Sequence, residues 1–290
     1  MEPCRCGLIG SGIGTSLSPS LHEAEGRAHG LDLSYTLFDV GAPGTPDDLG
    51  RLLSGAQDAG FAGVNITHPF KQRVVGLLDE LSPAARDIGA VNTVLFRDGR
   101  RIGHNTDAPG FAEAFRRELP GAPADRVVQL GAGGAGAACA FAQLGTGVRH
   151  LTVVDPDADR RGELAEALST RFEVDRIAVT SPAGLAAALE PADGLVNASP
   201  VGMLATPGLP LPAELLRPGL WVVDIIYMPV ETDLLRAARS RGLRAVGGAA
   251  MCVFQAAAAF RLFTGRTPDT GRMLAHLNHL LDGDGHPVRA

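Results

Sequence analysis

Short apolar runs alternate along this chain with longer segments of helical character. The runs are CGLIG, SYTLFDV and FAGVNIT in the first third, and VVQLG, HLTVVD, RIAVT, GLVNAS, WVVDII and LRAVG from Arg126 onward. Each run has the length of a strand and each gap has room for a helix, a spacing typical of βα repeats that build a parallel sheet. The sequence therefore predicts an α/β protein.

The repeats fall into two series, which predicts two domains. The second series has six runs, the strand count of a Rossmann dinucleotide-binding unit. The first ends in a predicted hairpin, VNTVLF and RIGH, joined by an Asp-Gly turn. A Pro/Gly-rich stretch near Gly121 joins the two series, and we expect the hinge there. Two predicted helices follow the last run and return to the first domain. We assign residues 1–107 and 251–290 to a substrate domain with a mostly parallel sheet, and 108–250 to a Rossmann domain.

Composition narrows the function classes. The formal net charge of the 290 residues is -6 and no basic block is present, which excludes the electrostatic footprint of a nucleic-acid-binding protein. No apolar stretch approaches the roughly 20 residues of a membrane helix and no signal peptide is evident, so we expect a soluble, cytoplasmic protein. The four cysteines and eight histidines lack CxxC, HxH or HxxxH spacing. We therefore expect reduced thiols and no metal.

A glycine-rich turn predicts dinucleotide binding. The strand-like run before Gly131 leads into GAGGAG and then into an Ala-rich helical stretch, which gives GxGxxG in strand, turn and helix context. Such glycines let the backbone approach a pyrophosphate, which faces the N–H groups of the helix. A glycine-rich turn that binds nothing is the alternative, and the flanking periodicity argues against it. The candidate cofactor-binding residues are Gly131, Ala132, Gly133, Gly134, Ala135 and Gly136.

Asp155 bears on the choice between NAD and NADP. It ends the next predicted strand, 24 residues after Gly131, where a carboxylate can accept hydrogen bonds from the adenosine ribose. A carboxylate there repels the 2′-phosphate of NADP, so the sequence favours NAD. Two readings stay open: Asp155 caps a helix that starts near Asp157, or Arg160 and Arg161 accommodate the phosphate of NADP. Asp155 and Arg160 are thus candidate cofactor-binding residues.

Lys71 is the only lysine among the 26 lysines and arginines of the chain. A guanidinium stays protonated in proteins, whereas an amine can gain and lose a proton. Lys71 lies in NITHPFK, where Pro69 favours the first turn of a helix and the helix macrodipole favours the neutral amine. Chance retention of one lysine is the alternative, but surface positions are far more numerous than this one. Lys71 is the candidate acid/base residue.

Two further turns carry polar side chains. Asp107, in GHNTDAPGF, precedes a proline at a predicted helix start, so it is an ordinary N-cap, a partner of Lys71, or both. Ser16 and Ser18, in GTSLSPSLH, stand before another helix whose free N–H groups suit a carboxylate, and we expect Ser18 to be the N-cap. All three turns follow strands of the first series, so we expect them to meet at one edge of its sheet, facing the cofactor domain.

These motifs resemble the shikimate dehydrogenase family, and the resemblance covers nearly the whole chain. The matching stretches are SLSPSLH, NITHPFK, GAVNT, HNTD, GAGGAG, DIIY and the helix that contains Gln255. The resemblance implies that Lys71 and Asp107 are the catalytic pair and that Ser16 and Ser18 hold a substrate carboxylate. It also implies contacts with the ring hydroxyls or the carboxylate from Thr67, Asn92, Tyr227 and Gln255, and with the nicotinamide from the backbone of Ile225 and Gly248.

The resemblance implies a dehydrogenase of shikimate or quinate that uses NAD and yields 3-dehydroshikimate or 3-dehydroquinate. NADP-dependent biosynthetic members usually carry Asn-Arg-Thr where this chain has Asp-Pro-Asp from position 155. His68 and His104 are more similar to the NAD-dependent branch, which often serves quinate catabolism, whereas Ser18 stands where that branch can carry threonine. An NADP-dependent enzyme of aromatic amino acid biosynthesis, or an aminoshikimate or aminoquinate dehydrogenase, is the alternative.

Two other classes of protein fit the cofactor motif taken alone. A non-catalytic NAD(H)-binding sensor would bind the nucleotide without turnover, and the pair of Lys71 and Asp107 argues against it. An unrelated Rossmann dehydrogenase would leave the first domain unexplained. We expect a monomer or homodimer whose partner is a small-molecule substrate, with no nucleic acid and no membrane.

Overall fold

The computed structural model describes residues 3–41 and 48–283. The chain divides into two compact units, one formed by the residues up to Asp107 with Val253–Gly283, the other by Ala108–Cys252. The division lies at the start of a helix, at the bound between residues 107 and 108 assigned from the sequence and not near Gly121, where the sequence placed the joint between the two series. Residues 284–290 of the predicted substrate domain lie outside the described residues.

The first unit is a six-stranded sheet covered by helices. Its elements are β1 (Cys4–Gly10), α1 (Ser18–Ala28), β2 (Leu33–Asp39), α2 (Asp48–Asp58), β3 (Gly63–Ile66), β4 (Glu80–Leu81), α3 (Pro83–Ile88), β5 (Thr93–Arg97) and β6 (Arg100–His104). The strand order is β2-β1-β3-β5-β6-β4. Strand β1 is parallel to β2 and β3, and β4 is parallel to β6, whereas β5 is antiparallel to both its neighbours. The two-residue edge strand β4 was not predicted.

The predicted hairpin is confirmed. Strands β5 and β6 are joined by Asp98 and Gly99, whose φ angles are 50° and 73°. Positive φ at both central positions is the geometry of a type I′ turn, whose twist matches that of the flanking strands. The turn fixes which residues of β5 and β6 face each other, and through them the position of the segment that follows β6.

The sheet of the first unit separates two apolar layers. Successive residues of β1 point to opposite faces: Ile9 packs in a cluster with Leu53 of α2, and Leu8 in another with Phe260. Phe260 belongs to the long helix near the end of the chain, α9 (Ala249–Thr264), which α10 (Thr270–Gly283) follows. Burial of both faces explains why the strand runs are almost continuously apolar.

The second unit contains a parallel sheet with Rossmann topology. Its elements are α4 (Asp107–Glu118), β7 (Arg126–Leu130), α5 (Gly134–Gly145), β8 (His150–Val154), α6 (Ala158–Ser169), β9 (Ile177–Thr180), α7 (Leu185–Leu189), β10 (Gly194–Asn197), β11 (Trp221–Asp224), α8 (Asp233–Ser240) and β12 (Ala245–Val246). The order β12-β11-β10-β7-β8-β9 reverses direction beside β7, as in a dinucleotide-binding fold. The prediction of an α/β fold with a Rossmann domain is confirmed.

Helix α4 belongs to the second unit because of its aromatic contacts. The Phe115 ring lies edge-on to Trp221 of β11, with 5.2 Å between centroids. The indole N–H of Trp221 in turn donates to the backbone oxygen of Pro123 at 2.8 Å. These contacts join both α4 and the Pro/Gly-rich stretch after it to the second sheet. Among the described residues, no helix has the length and apolar character needed to cross a membrane.

Two glycines of the GAGGAG turn are required by close backbone contacts. Gly131 has a φ of 99°, and a β-carbon on it would lie 2.6 Å from the carbonyl oxygen of Ala198. A β-carbon on Gly136 would overlap the carbonyl oxygen of Gly131. Gly133 differs, because a β-carbon there would point into open space at the start of α5. Gly131 and Gly136 are thus required for packing of the turn, whereas Gly133 leaves room for a ligand.

We predict that Gly136→Ala lowers the free energy of unfolding by about 1–3 kcal/mol, because the added methyl group meets backbone that no side-chain rotation can move. Gly145→Ala, in the same helix but with nothing within 4 Å of its β-carbon position, is the matched control and should be neutral or slightly stabilising. Denaturant unfolding of the three proteins measures both effects. Equal stability of Gly136→Ala and the parent protein would contradict the packing described for this turn.

Candidate active site

Lys71 and Asp107 form a direct contact within the first unit. The Lys71 Nζ donates to the Asp107 Oδ2 at 2.7 Å, and the two side chains are only 16% and 7% exposed. The carbonyl of Lys71 accepts the N–H of Val91 at 2.8 Å, which anchors the turn after β3. The N–H of Asp107 donates to the Asn105 Oδ1 at 3.1 Å, which anchors the segment after β6. The two strand ends thus bring an amine and a carboxylate together.

The local setting of Lys71 differs from the sequence prediction. No α-helix begins at Pro69: the His68–Pro69 peptide bond is cis, Lys71 lies in a turn, and a short 3-10 helix spans Arg73–Leu77. The carbonyl of Lys71 does not act as a helical acceptor because it accepts the N–H of Val91. The argument from the helix macrodipole is therefore wrong for this residue, although its contact with Asp107 does not depend on it.

The two predicted N-caps were also wrong. Asp107 is the first residue of α4 rather than its cap, and its carboxylate faces Lys71 instead of the helix N–H groups. Ser18 is likewise the first residue of α1, and Leu17 occupies the cap position without a side-chain hydrogen bond. The Ser16 Oγ instead accepts the N–H of Ser18 at 3.3 Å and donates to its Oγ at 3.2 Å. Both hydroxyls are partly exposed and lie side by side.

Asn92 holds the second oxygen of the Asp107 carboxylate. Its Nδ2 donates to the Asp107 Oδ1 at 2.9 Å and to the Thr106 Oγ1 at 2.8 Å, while its Oδ1 accepts the N–H of Thr106 at 2.7 Å. Asn92 is only 3% exposed. Each carboxylate oxygen thus has its own donor, one from Lys71 and one from Asn92, so the carboxylate is fixed in orientation.

The turns after β1 and β3 touch each other. The N–H of Ser11 donates to the carbonyl of His68 at 3.1 Å, and a β-carbon on Gly10 would overlap the Thr67 side chain. Thr67 is partly buried at the end of β3. The turn that leads to Ser16 therefore adjoins the turn that carries Lys71, as expected for parallel strands that end at one edge of a sheet.

The remaining candidates for substrate contacts lie in different units. Gln255 is partly buried on α9 in the first unit, and Tyr227 is partly buried just after β11 in the second. Ile225 and Gly248, the two candidates for contacts with a nicotinamide, are close together in the second unit. The N–H of Gly248 donates to the carbonyl of Ile226, the residue after Ile225, at 3.1 Å. A β-carbon on Gly248 would overlap the carbonyl of Ile225, so this approach of two backbones requires glycine.

Asp155 contacts the glycine-rich turn directly. Its Oδ2 accepts the N–H of Ala132 at 2.8 Å and its Oδ1 accepts the N–H of Asp157 at 2.9 Å, and it is only 5% exposed. Asp157, not Asp155, caps α6, because its Oδ1 accepts the N–H groups of Asp159 and Arg160 at 3.0 and 3.1 Å. The reading of Asp155 as a simple helix cap was therefore wrong. The Arg160 Nε lies 3.4 Å from the Asp157 Oδ2.

Asp224 is a buried acid that the sequence did not single out. Burial raises its pKa to about 6, although hydrogen bonds to Thr232, the Ile226 N–H and Asn197 lower it in part. Its Oδ2 accepts from the Thr232 Oγ1 at 2.7 Å, and its Oδ1 accepts from the Asn197 Nδ2 at 3.1 Å and from the Ile226 N–H at 3.2 Å. These bonds fix the backbone just before Tyr227. Its partners lie on two other segments, so no local pattern could have identified them.

The residues present fit a nucleotide with a diphosphate group. The first N–H groups of α5 have no acceptor within the helix, Gly133 leaves open space there, and Asp155 offers a carboxylate at the adjoining strand end. Within residues 3–41 and 48–283, no three His, Cys, Asp or Glu side chains are grouped as metal ligands would be.

Two family models match the chain. Residues 8–94 match the shikimate dehydrogenase substrate binding domain, and residues 248–277 match the shikimate 5'-dehydrogenase C-terminal domain. Among curated proteins, the chain is 56% identical to the shikimate dehydrogenase (NADP(+)) of Streptomyces avermitilis, over 94% of each protein. It is 46% identical to the quinate/shikimate dehydrogenase (NAD(+)) of Corynebacterium efficiens, over 93% of this chain and 95% of that protein.

Solved structures give the same result. Quinate dehydrogenase from Corynebacterium glutamicum in complex with NAD superposes with a TM-score of 0.87 at 43% identity, covering 94% of this chain and 98% of that one. Shikimate 5-dehydrogenase from Thermus thermophilus, in complex with NADP(H) and shikimate, gives a TM-score of 0.81 at 38% identity, covering 95% and 99%. The chain belongs to the shikimate dehydrogenase family, as its motifs indicated, and is an oxidoreductase of the shikimate/quinate type that uses a pyridine nucleotide.

Proposed function

We propose that this protein transfers a hydride between NAD and a ring carbon of shikimate or quinate, with Lys71 and Asp107 as its acid/base pair. The observation that carries the proposal is the 2.7 Å hydrogen bond between the chain's only lysine and a nearly buried carboxylate. We assign substrate binding to the first unit, which contains the residues that match the substrate binding domain, and NAD binding to the second.

Oxidation of a secondary alcohol removes a hydride from carbon and a proton from oxygen. The Lys71 amine takes the proton of the substrate hydroxyl while the Asp107 carboxylate orients that hydroxyl and the amine. A bound NAD would supply the acceptor for the hydride, held by the glycine-rich turn and Asp155. In the reverse direction the protonated amine donates to the developing alkoxide, which is general acid catalysis. Asn92 acts on this chemistry through Asp107, because its amide nitrogen holds the second carboxylate oxygen.

Ser16 and Ser18 are suited to hold the substrate carboxylate. Their hydroxyls lie 3.2 Å apart at the start of α1, and both residues are partly exposed. Thr67 adjoins this turn and completes the same edge of the sheet. We assign contacts with the ring hydroxyls or the carboxylate to Thr67, Asn92, Tyr227 and Gln255.

NAD is the cofactor that the residues around the glycine-rich turn favour. A carboxylate at position 155 suits the free ribose hydroxyls of NAD and repels the phosphate of NADP. Its hydrogen bond to the Ala132 N–H holds that carboxylate beside the turn. The backbones of Ile225 and Gly248 are assigned to the nicotinamide. NADP is the alternative, and it is favoured by the names of relatives that are 56% and 50% identical.

Replacing Lys71 by arginine keeps the positive charge but removes the group that can exchange a proton. We expect Lys71→Arg to lower kcat about 100- to 10,000-fold, the usual contribution of general acid/base catalysis. Arg73→Lys, the opposite exchange at an exposed position two residues away, is the matched control and should leave kcat unchanged. Initial rates of NADH formation measure both. Turnover like that of the parent protein in Lys71→Arg would refute the catalytic assignment.

Four initial rates test the cofactor and the substrate together: shikimate and quinate, each with NAD and with NADP. We expect kcat/KM to be at least about tenfold higher with NAD, since one unfavourable charge contact at the ribose is worth about 1.4 kcal/mol or more. Introducing the NADP pattern as Asp155→Asn with Pro156→Arg should narrow that ratio by raising kcat/KM for NADP. A higher kcat/KM of the parent protein with NADP would contradict the choice of NAD and make NADP the cofactor. The roles proposed for Lys71 and Asp107 would not change.

A further inference from the structure

We propose that Thr93 and Asn65 are positioning residues for this reaction: they fix the amide of Asn92 so that its nitrogen holds the Asp107 carboxylate against Lys71. The inference rests on the proposed function of that pair. Neither residue belongs to the contacts assigned to substrate or cofactor above, and both are buried, at 0% and 7% exposed. Burial of a polar side chain destabilises the folded protein unless its hydrogen bonds are satisfied. The partners of a buried polar side chain therefore indicate its role.

Asn65 and Thr93 face each other across two antiparallel strands. They are register partners in β3 and β5, which places their side chains on the same face of the sheet. The Asn65 Nδ2 donates to the backbone oxygen of Asn92 at 3.2 Å and to the Thr93 Oγ1 at 2.9 Å. Its Oδ1 accepts from the Tyr35 hydroxyl at 2.7 Å. Both ends of the Asn65 amide are therefore paired.

The direction of each hydrogen bond follows from what each atom can do. A backbone carbonyl only accepts, so the nitrogen of the Asn65 amide must face the carbonyl of Asn92. The same nitrogen donates to the Thr93 Oγ1, whose own proton is then free to be donated to the Asn92 Oδ1, 3.1 Å away. The N–H of Thr106 also donates to that oxygen, at 2.7 Å. The Thr106 hydroxyl, at 3.2 Å, is a third donor to it, so Thr93 and Thr106 together hold the oxygen end of the Asn92 amide.

A fixed oxygen end determines where the nitrogen end points. With its Oδ1 held by Thr93 and Thr106, Asn92 directs its Nδ2 to the Asp107 Oδ1 at 2.9 Å. The flipped amide would bring an oxygen against the Asp107 Oδ1, which would lose its donor, and would turn a nitrogen toward the Thr106 N–H, which would lose its acceptor; both are unfavourable in a buried site. The Asp107 Oδ2 remains for Lys71 at 2.7 Å. A chain of directed hydrogen bonds thus runs from Asn65 through Thr93, Asn92 and Asp107 to the lysine.

The test is a comparison of Thr93→Val, which removes the hydroxyl at nearly constant shape, with Thr93→Ser, which keeps it. We expect Thr93→Val to lower kcat about tenfold, the effect of one ordinary hydrogen bond, since the Thr106 N–H still holds the Asn92 amide. The KM for the substrate that the parent protein oxidises should change less than kcat does, because Thr93 itself is assigned no contact with the substrate. Thr93→Ser should recover most of kcat. Denaturant unfolding followed by far-UV circular dichroism checks that each variant is folded.

The outcomes separate this inference from the proposal on which it rests. Unchanged kcat in Thr93→Val, a rise confined to KM, or an equal loss of kcat in Thr93→Ser would overturn the positioning role. Lys71→Arg is measured alongside: if it is inactive while Thr93→Val is fully active, only the positioning role fails, and if it is fully active, the proposed function itself fails. Should Thr93→Val not accumulate as folded protein, Thr93→Cys takes its place, because a thiol is a weak donor.

Discussion

The Asp107 carboxylate is nearly buried, and each of its two oxygens needs a hydrogen-bond donor from the rest of the first unit. A buried carboxylate is unfavourable unless donors surround it. Here one oxygen is paired with Lys71 and the other with Asn92. Those donors come from different turns, so the carboxylate and the fold around it are mutually dependent. The Asp-Gly hairpin that sets the register of β5 and β6 thereby also sets the position of Asp107.

In the second unit, backbone N–H donors are arranged in a way that suits a negatively charged ligand. Its glycine-rich turn brings backbone atoms too close for a side chain at two positions and leaves space at the third. The first N–H groups of α5 lie at that space, and helix N-termini of this kind favour negatively charged groups such as a diphosphate. Asp155 contributes by accepting the Ala132 N–H, which joins the turn to the end of β8. Shape, helix polarity and a fixed carboxylate are together the features that support the proposed nucleotide site.

Features of this chain that depend on local spacing could be predicted from sequence, and features that depend on non-local strand pairing could not. The glycine motif, the Asp-Gly hairpin and the single lysine are visible in short windows. The predicted helix at Pro69 was wrong because Val91, distant in sequence, donates to the carbonyl of Lys71. Ser18 was taken as a cap because its pattern fits one, yet the helix begins at that residue.

The positions of Asn65, Thr93 and Asp224 could not be read from sequence for a related reason. Asn65 and Thr93 are brought together only by the register of β3 against β5, and Asp224 by the convergence of its strand with two other segments. A polar residue within an apolar run signals a buried hydrogen bond but not its partner. Once the sheet order is known, register pairs Asn65 with Thr93 and Asp224 with Asn197, whereas Thr232 reaches Asp224 from outside the sheet.

The central claim is that the Lys71 amine exchanges the proton of the reaction beside Asp107. Chemical rescue of Lys71→Ala tests it most directly, because a small primary amine can replace the missing group without any change in the fold. The account predicts very low turnover of the variant, restored in proportion to added methylamine and not by guanidinium of similar size. Turnover of Lys71→Ala at the parent rate, or rescue by guanidinium as effective as rescue by the amine, would contradict it.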